Sequence, residues 1–193
     1  MRSARDAPRE ILTVGHSTHP IERFLSLLRE ARVEALADVR RFPGSRRNPQ
    51  FGADALAESL REAGIGYEPF GESLGGRRSR REVEAAAEAP LPDNSAWRNS
   101  SFRAYADYMW TPAFGDGLRG LEELARDRRT AVMCAESHPS RCHRRLIADA
   151  MLARGWRVVH LLPGGRLEEH AYTPDAVVEG KRVHYPPQPS LDV

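Results

Sequence analysis

The segment CAESHPSRCH (134–143) places two thiols, a carboxylate and two imidazoles within ten residues, and Arg144 and Arg145 follow directly. Thiolates are nucleophiles and metal ligands. A carboxylate moves protons, and arginine holds anions in a planar fork of donors. Three chemistries are open to this set. The first is acid/base or nucleophilic catalysis. Glu136 would be the general acid or base, His16 or Cys134 would assist, and Cys142 and His143 would complete the reacting group. The second is a redox pair, Cys134 with Cys142, although the seven residues between them are not a C-x-x-C spacing. The third is a metal site. The ligand types suit zinc, but no C-x-x-C or H-x-x-x-H pairing is present, so neither a metal nor any other cofactor is expected.

These residues need elements to position them, and the chain alternates strand-like and helix-like runs. ILTVGHS (11–17) is a short apolar strand ending in polar residues, and IERFLSLLREA (21–31) has helical spacing. VEALADVR (33–40) is a second strand, ADALAESLREAG (53–64) a helix closed by Gly64, and IGYEPF (65–70) a third strand. FRAYADYMW (102–110) and AFGDGLRGLEELARD (113–127) read as helices, 130–134 as a strand, 141–154 as a helix and 156–162 as a last buried strand. LEEHAYT and KRVHYP are shorter strand-like pieces. The stretch 71–100 shows no period and reads as a long loop or lid. Strands alternating with helices imply an α/β fold, a single domain with a mainly parallel sheet flanked by helices in a Rossmann-like layered architecture. The expected boundaries are a disordered lead over 1–9, one domain over 10–185 and a flexible Pro-rich tail over 186–193.

In such sheets ligands bind beyond the carboxyl ends of the strands. The strand ends carry His16 and Ser17, Asp38 and Arg40, Cys134 and Glu136, and His160. Asp38 interrupts an apolar strand, which is costly unless the carboxylate is paired. Arg40, two residues on, leaves the same face of an extended strand. The pair reads equally as a structural brace or as an anion clamp. The interval from Cys134 to Arg141 also echoes the cysteine loop of phosphatases, with six intervening residues instead of five and with Glu136 inside it, where a carboxylate would repel phosphate.

Composition narrows the partners. The chain has 193 residues, 40% of them hydrophobic and 29% charged, with a net charge of +2. All but one of its 29 basic residues, Lys181, are arginine. Codon bias alone produces that ratio, so only arginine clusters free of acids are informative. Three exist: Arg40 to Arg47, Arg77 to Arg81, and Arg141 to Arg145. Such blocks favour phosphate or nucleic acid. No apolar run approaches the ~20 residues that cross a bilayer, and the opening MRSARDAPRE has no apolar stretch after its charges. A cytoplasmic chain with no membrane partner, its two cysteines reduced, is the resulting expectation.

TVGHST, ADVRRFPGSRRNPQF, YEPFGESLGG, FRAYADYM and MCAESHPSRCHRRLIA, taken in order, resemble the successive motifs of the domain of unknown function 488 family. The likeness runs from about residue 12 to 160 and implies a compact bacterial or archaeal α/β domain. It supplies no reaction. Its motif positions include Gly15, His16, Ser17, Asp38, Arg40, Ser45, Gly75, Gly76, Cys134, Glu136, Cys142, His143 and Arg144.

The expectation is an enzyme acting on a phosphate-bearing substrate, a nucleotide or nucleic acid. Glu136, Cys134, His16, Cys142 and His143 would be catalytic. Ser17, Asp38, Arg40, Ser45, Arg46, Arg141 and Arg144 would hold the anion. The rivals are a non-catalytic nucleic-acid-binding module, with Glu136 and the cysteines dispensable, and a cysteine-based redox protein.

Overall fold

The computed structural model describes residues 9–44 and 46–188. Its centre is a six-stranded sheet. Five strands run parallel, β1 (Glu10–Gly15), β2 (Ala35–Asp38), β3 (Gly66–Pro69), β4 (Thr130–Cys134) and β5 (Arg157–Leu161). The sixth, β6 (Leu167–Glu169), adds antiparallel to β5, and the spatial order is β3-β2-β4-β1-β5-β6. A separate hairpin pairs β7 (Val177–Glu179) with β8 (Arg182–His184).

The apolar runs of β1, β2 and β4 are buried along their whole length because helices cover both faces. Helices α1 (Ile21–Glu30) and α2 (Ala53–Glu62) put Phe24, Leu28, Leu56 and Leu60 on one face, with Phe51 between them. Helices α5 (Ser100–Tyr108), α6 (Pro112–Asp127) and α7 (Arg144–Ala153) put Tyr105, Phe114, Leu118, Leu146 and Met151 on the other. Each such side chain, fully buried, contributes roughly 1.5–3 kcal/mol. The connection leaving β1 packs on the first face and the one leaving β4 on the second. The two strands are neighbours, so a crevice opens beyond their carboxyl ends.

The α/β class, the parallel sheet and the order of elements match the sequence expectation. Two stretches differ. The 71–100 segment is partly helical, with α3 (Gly71–Leu74) and α4 (Arg80–Ala86). Ser79 accepts from the Glu82 backbone while the Glu82 carboxylate accepts from Ser79, a capping box that starts α4 without hydrophobic periodicity. The helix expected over 141–154 begins only at Arg144. Residues Pro139–Arg141 form a separate tight turn capped by His138, and Cys142 is extended at φ −138°. No helix among the described residues is long and apolar enough to cross a membrane.

Candidate active site

β1 and β4 stay in register to their ends and slightly beyond. Gly15 lies opposite Cys134, and the His16 and Ser17 amides donate to the Cys134 and Ala135 carbonyls, each at 3.0 Å. A Cβ on Gly15 would stand 1.9 Å from the Glu136 carbonyl oxygen, which is backbone and cannot yield. Only glycine allows β1 to end so close beneath the loop that presents Glu136.

Cys134 ends β4, and Cys142 and His143 lead into α7. Cys142 is therefore two residues ahead of the helix, and His143 is its N-cap residue. The sulfurs of Cys134 and Cys142 meet, with their Cα atoms 7.6 Å apart. Cys142 Sγ lies 3.7 Å from His143 Nδ1 and accepts from the Arg144 amide at 3.4 Å. His143 Nε2 donates to the Val39 carbonyl at 3.1 Å. That bond fixes the tautomer and leaves the Nδ1 lone pair facing the sulfurs. Burial pushes the His143 pKa down to about 4 against the opposing Val39 bond, with Arg144 and Arg78 adding to the fall. The ring is neutral near pH 7.

Arg144 is 1% exposed. Its Nη2 donates to the Glu136 carbonyl at 2.6 Å, and among the described residues its Nε has no partner and no carboxylate pairs with it. Burial lowers its pKa to about 10, so it stays charged at neutral pH. The Arg144 amide is aimed at the Cys142 sulfur while its guanidinium reaches back to the Glu136 carbonyl.

Asp38, Arg40 and His16 form a closed brace. Arg40 donates to both Asp38 oxygens at 2.6–3.1 Å and to the Phe51 carbonyl at 2.7 Å. Its Nη1 lies 3.2 Å from His16 Nε2, and Tyr67 donates to Asp38 at 2.9 Å. His16 Nδ1 donates to the Ser17 carbonyl at 2.8 Å, so both its ring nitrogens are engaged. Burial holds the His16 pKa near 4 despite that bond, and Arg40 lowers it further. The guanidinium of Arg40 is thus held within the protein.

Beyond the strand ends lies a two-part cleft. The inner part, about 260 Å³, has Cys134, Cys142 and His143 on its floor and Glu136, Arg77 and Arg141 around it. The outer part holds His16, Ser17 and Asn48, and the two share Arg40, Phe42, Arg77, Ala135 and Glu136. Phe42 is 63% exposed at the shared mouth, with the Arg41 guanidinium 5.4 Å from its ring centre. Arg77 and Arg141 have no carboxylate partner among the described residues.

The fold therefore gathers Cys134, Glu136, Cys142, His143, Arg141, His16, Ser17 and Arg40 around one cleft. Asp38 and Arg144 lie behind it. Arg46 is exposed and lines neither part, and Ser45 lies outside the described residues. The sequence reading left out Arg77, Phe42 and Gly76, all supplied by loops. Arg77 was visible only as one of an acid-free arginine block, and Gly76 only as a motif position.

His160, expected at the same edge, points elsewhere. Thr13 donates to His160 Nδ1 at 2.7 Å, His160 Nε2 donates to His170 Nδ1 at 3.0 Å, and His170 Nε2 donates to Asp149 at 2.9 Å. Asp149 also accepts from the Tyr185 hydroxyl at 2.7 Å and the Thr173 amide at 2.9 Å. One tautomer on both rings, the hydrogen on Nε2, gives every link one donor and one acceptor.

No curated protein and no solved structure matches the chain. A family model does: the domain of unknown function DUF488 matches residues 20–151, a span that contains Cys134, Glu136, Cys142, His143 and Arg77. With the match covering more than half its length and every residue on the floor of the cleft, the chain belongs to the DUF488 family.

Proposed function

We propose that this chain is an enzyme that takes a phosphate-bearing substrate, a nucleotide or a single nucleotide of a nucleic acid, into the two-part cleft. One observation carries the reading: Arg77 and Arg141, without a carboxylate partner among the described residues, face the same inner space as Cys134, Cys142, His143 and Glu136. Arginines without acid partners suit a phosphate. The exposed ring of Phe42 beside Arg41 suits a stacked base. Ligand sites usually measure about 300–1,000 Å³, so an inner part of about 260 Å³ suits a nucleotide-sized group better than a duplex. Glu136, exposed on the rim, transfers the proton. Cys134, Cys142 and His143 form the reacting centre opposite it.

The test is a binding panel of nucleoside mono- and diphosphates and short single- and double-stranded DNA and RNA at two salt concentrations, followed by product analysis. Nucleotide binding is expected in wild type, and Glu136→Gln is expected to bind equally and turn over at least a hundredfold more slowly, in the range for lost acid/base catalysis. Absence of binding by every phosphate compound would end the reading. Binding with no chemistry in wild type would make the chain a binding module.

A second reading has its own observation, the contact between the Cys134 and Cys142 sulfurs. In that reading the reduced pair passes two electrons to a disulfide substrate by thiol–disulfide exchange, closing the Cys134–Cys142 disulfide, and an external thiol reduces it again. Counting thiols before and after reductant, on wild type and on Cys134→Ser, tests it.

A further inference from the structure

The floor of the cleft has the makings of a metal centre. Cys134 Sγ, Cys142 Sγ and one ring nitrogen of His143 all lie within 4.8 Å of one another. The 3.7 Å from Cys142 Sγ to His143 Nδ1 is close to the edge of a zinc tetrahedron, about 3.6 Å for bonds of about 2.3 and 2.1 Å. A metal-bound histidine usually donates its other ring nitrogen to a carbonyl or carboxylate. His143 does so through Nε2 to Val39, which turns the Nδ1 lone pair toward the sulfurs.

Two further observations fit. The Cα atoms of Cys134 and Cys142 are 7.6 Å apart, wider than the about 4.4–6.8 Å usual for a disulfide. Two thiolates on one zinc stand about 3.8 Å apart, so the sulfurs, in contact in this structure, would part on loading, as their wide Cα spacing allows. Gly76 packs against the same atom: a Cβ there would stand 2.9 Å from His143 Nδ1. It would also stand 3.1 and 3.3 Å from Cγ and Cε1, pressing on the ring face, so glycine leaves the ring where it is.

We infer that Cys134, Cys142 and His143, with the cysteines reduced, hold a zinc-class divalent ion whose fourth position opens into the cleft. Three protein ligands with one open position are the pattern of catalytic zinc sites, whereas structural sites close all four. Binding releases the thiol protons, and the Arg144 amide donates toward the Cys142 sulfur. The inference deepens the functional reading by naming what the reacting centre holds, and it rests on that reading only for the use of the open position. A bonded cysteine pair and a metal-bound pair exclude one another, so the redox reading is its direct competitor.

The experiment uses the full chain, reduced and freed of metal, titrated with zinc(II) and in parallel with cobalt(II). One equivalent per chain is expected, with near-ultraviolet thiolate-to-cobalt charge-transfer absorption. Cys134→Ser and Cys142→Ser should lose that absorption. If either fails to fold, Gly76→Ala serves, with affinity expected to fall roughly 10–100-fold as for other changes beside a metal ligand. No stoichiometric binding by the reduced wild type would overturn the inference, as would binding that persists unchanged in folded cysteine variants. Phosphate compounds are titrated separately into the metal-free and loaded chain. Metal binding without phosphate binding sinks only the functional reading, and phosphate binding without metal binding sinks only the metal site.

Discussion

The molecule holds two clusters of ionisable side chains, one in the cleft beyond β2, β4 and β1 and one beneath α7 beside β5. They use the same residue types, histidine, acid and hydroxyl, but differ in how those groups are satisfied. In the second cluster each donor meets one acceptor from Thr13 through His160 and His170 to Asp149, with Tyr185 closing the far oxygen, and only the Thr173 hydroxyl at its edge lacks a partner among the described residues. In the cleft, among the described residues, Arg144 Nε has no partner and Arg77 and Arg141 have no acids, and the His143 lone pair faces two sulfurs. A complete buried network specifies a fold. An incomplete one beside an open cleft is where a ligand would supply the missing partners. Unmet bonding capacity beside an open cleft, which the Thr173 hydroxyl does not have, separates a site from a brace.

The largest expected effect falls on the brace. Asp149→Ala strands the His170, Thr173 and Tyr185 donors in a buried space and should cost about 3–4 kcal/mol in urea unfolding. Ligand binding in the cleft should persist wherever the variant folds. A cost below about 1 kcal/mol would mean that the relay is not structural.

Acid should attack the same region next. Burial holds the His160 pKa near 3, and His170 and Arg144 add to the fall. A histidine whose folded pKa lies below its unfolded value of about 6.5 favours the folded state while neutral. That contribution is complete above about pH 6.5 and falls as the pH drops toward 3. Between pH 6.5 and 4.5 the loss should be about 2–3 kcal/mol. Unfolding midpoints of wild type and His160→Asn across that range isolate it, and parallel curves for the two proteins would refute it. Tyr185→Phe should cost less, about 1–2 kcal/mol, because Asp149 keeps its other donors.

The contrast also marks what the sequence could show. Hydrophobic periodicity gave the strands and most helices because two faces of one sheet impose it. The reactive stretch 134–143 was legible because its residue types are unusual side by side. Strand ends placed His16, Arg40 and His160 at one edge, but not their partners. Thr13 and His160 are register partners on one face, so His160 points under α7 and not into the cleft. Arg40 faces the cleft yet is held by Asp38, Phe51 and His16, contacts fixed only once β4 inserts between β1 and β2. The metal-ligand geometry escaped spacing rules because one ligand ends a strand while the other two follow a turn. Ser79 and Glu82 were readable as a capping box, and with them the start of α4 beside the Gly76-Arg77 wall.

The smallest effect on stability should come with a large effect on binding, and that pairing tests the comparison most sharply. Arg77→Ala/Arg141→Ala removes two guanidinium groups that have no acid partner among the described residues, and both side chains are exposed. Unfolding free energy should move by no more than about 0.5 kcal/mol. Each lost charge-assisted contact to a phosphate would remove about 1.5–3 kcal/mol, so nucleotide affinity should fall at least about tenfold. Arg46→Ala/Arg47→Ala serves as the control, since both residues are exposed and line neither part of the cleft. Equal losses in the two double variants would mean diffuse attraction to a basic surface, with a steep salt dependence and no site. A loss confined to Arg77 and Arg141, with stability untouched, is what a cleft with unmet bonding capacity requires and a closed brace cannot produce.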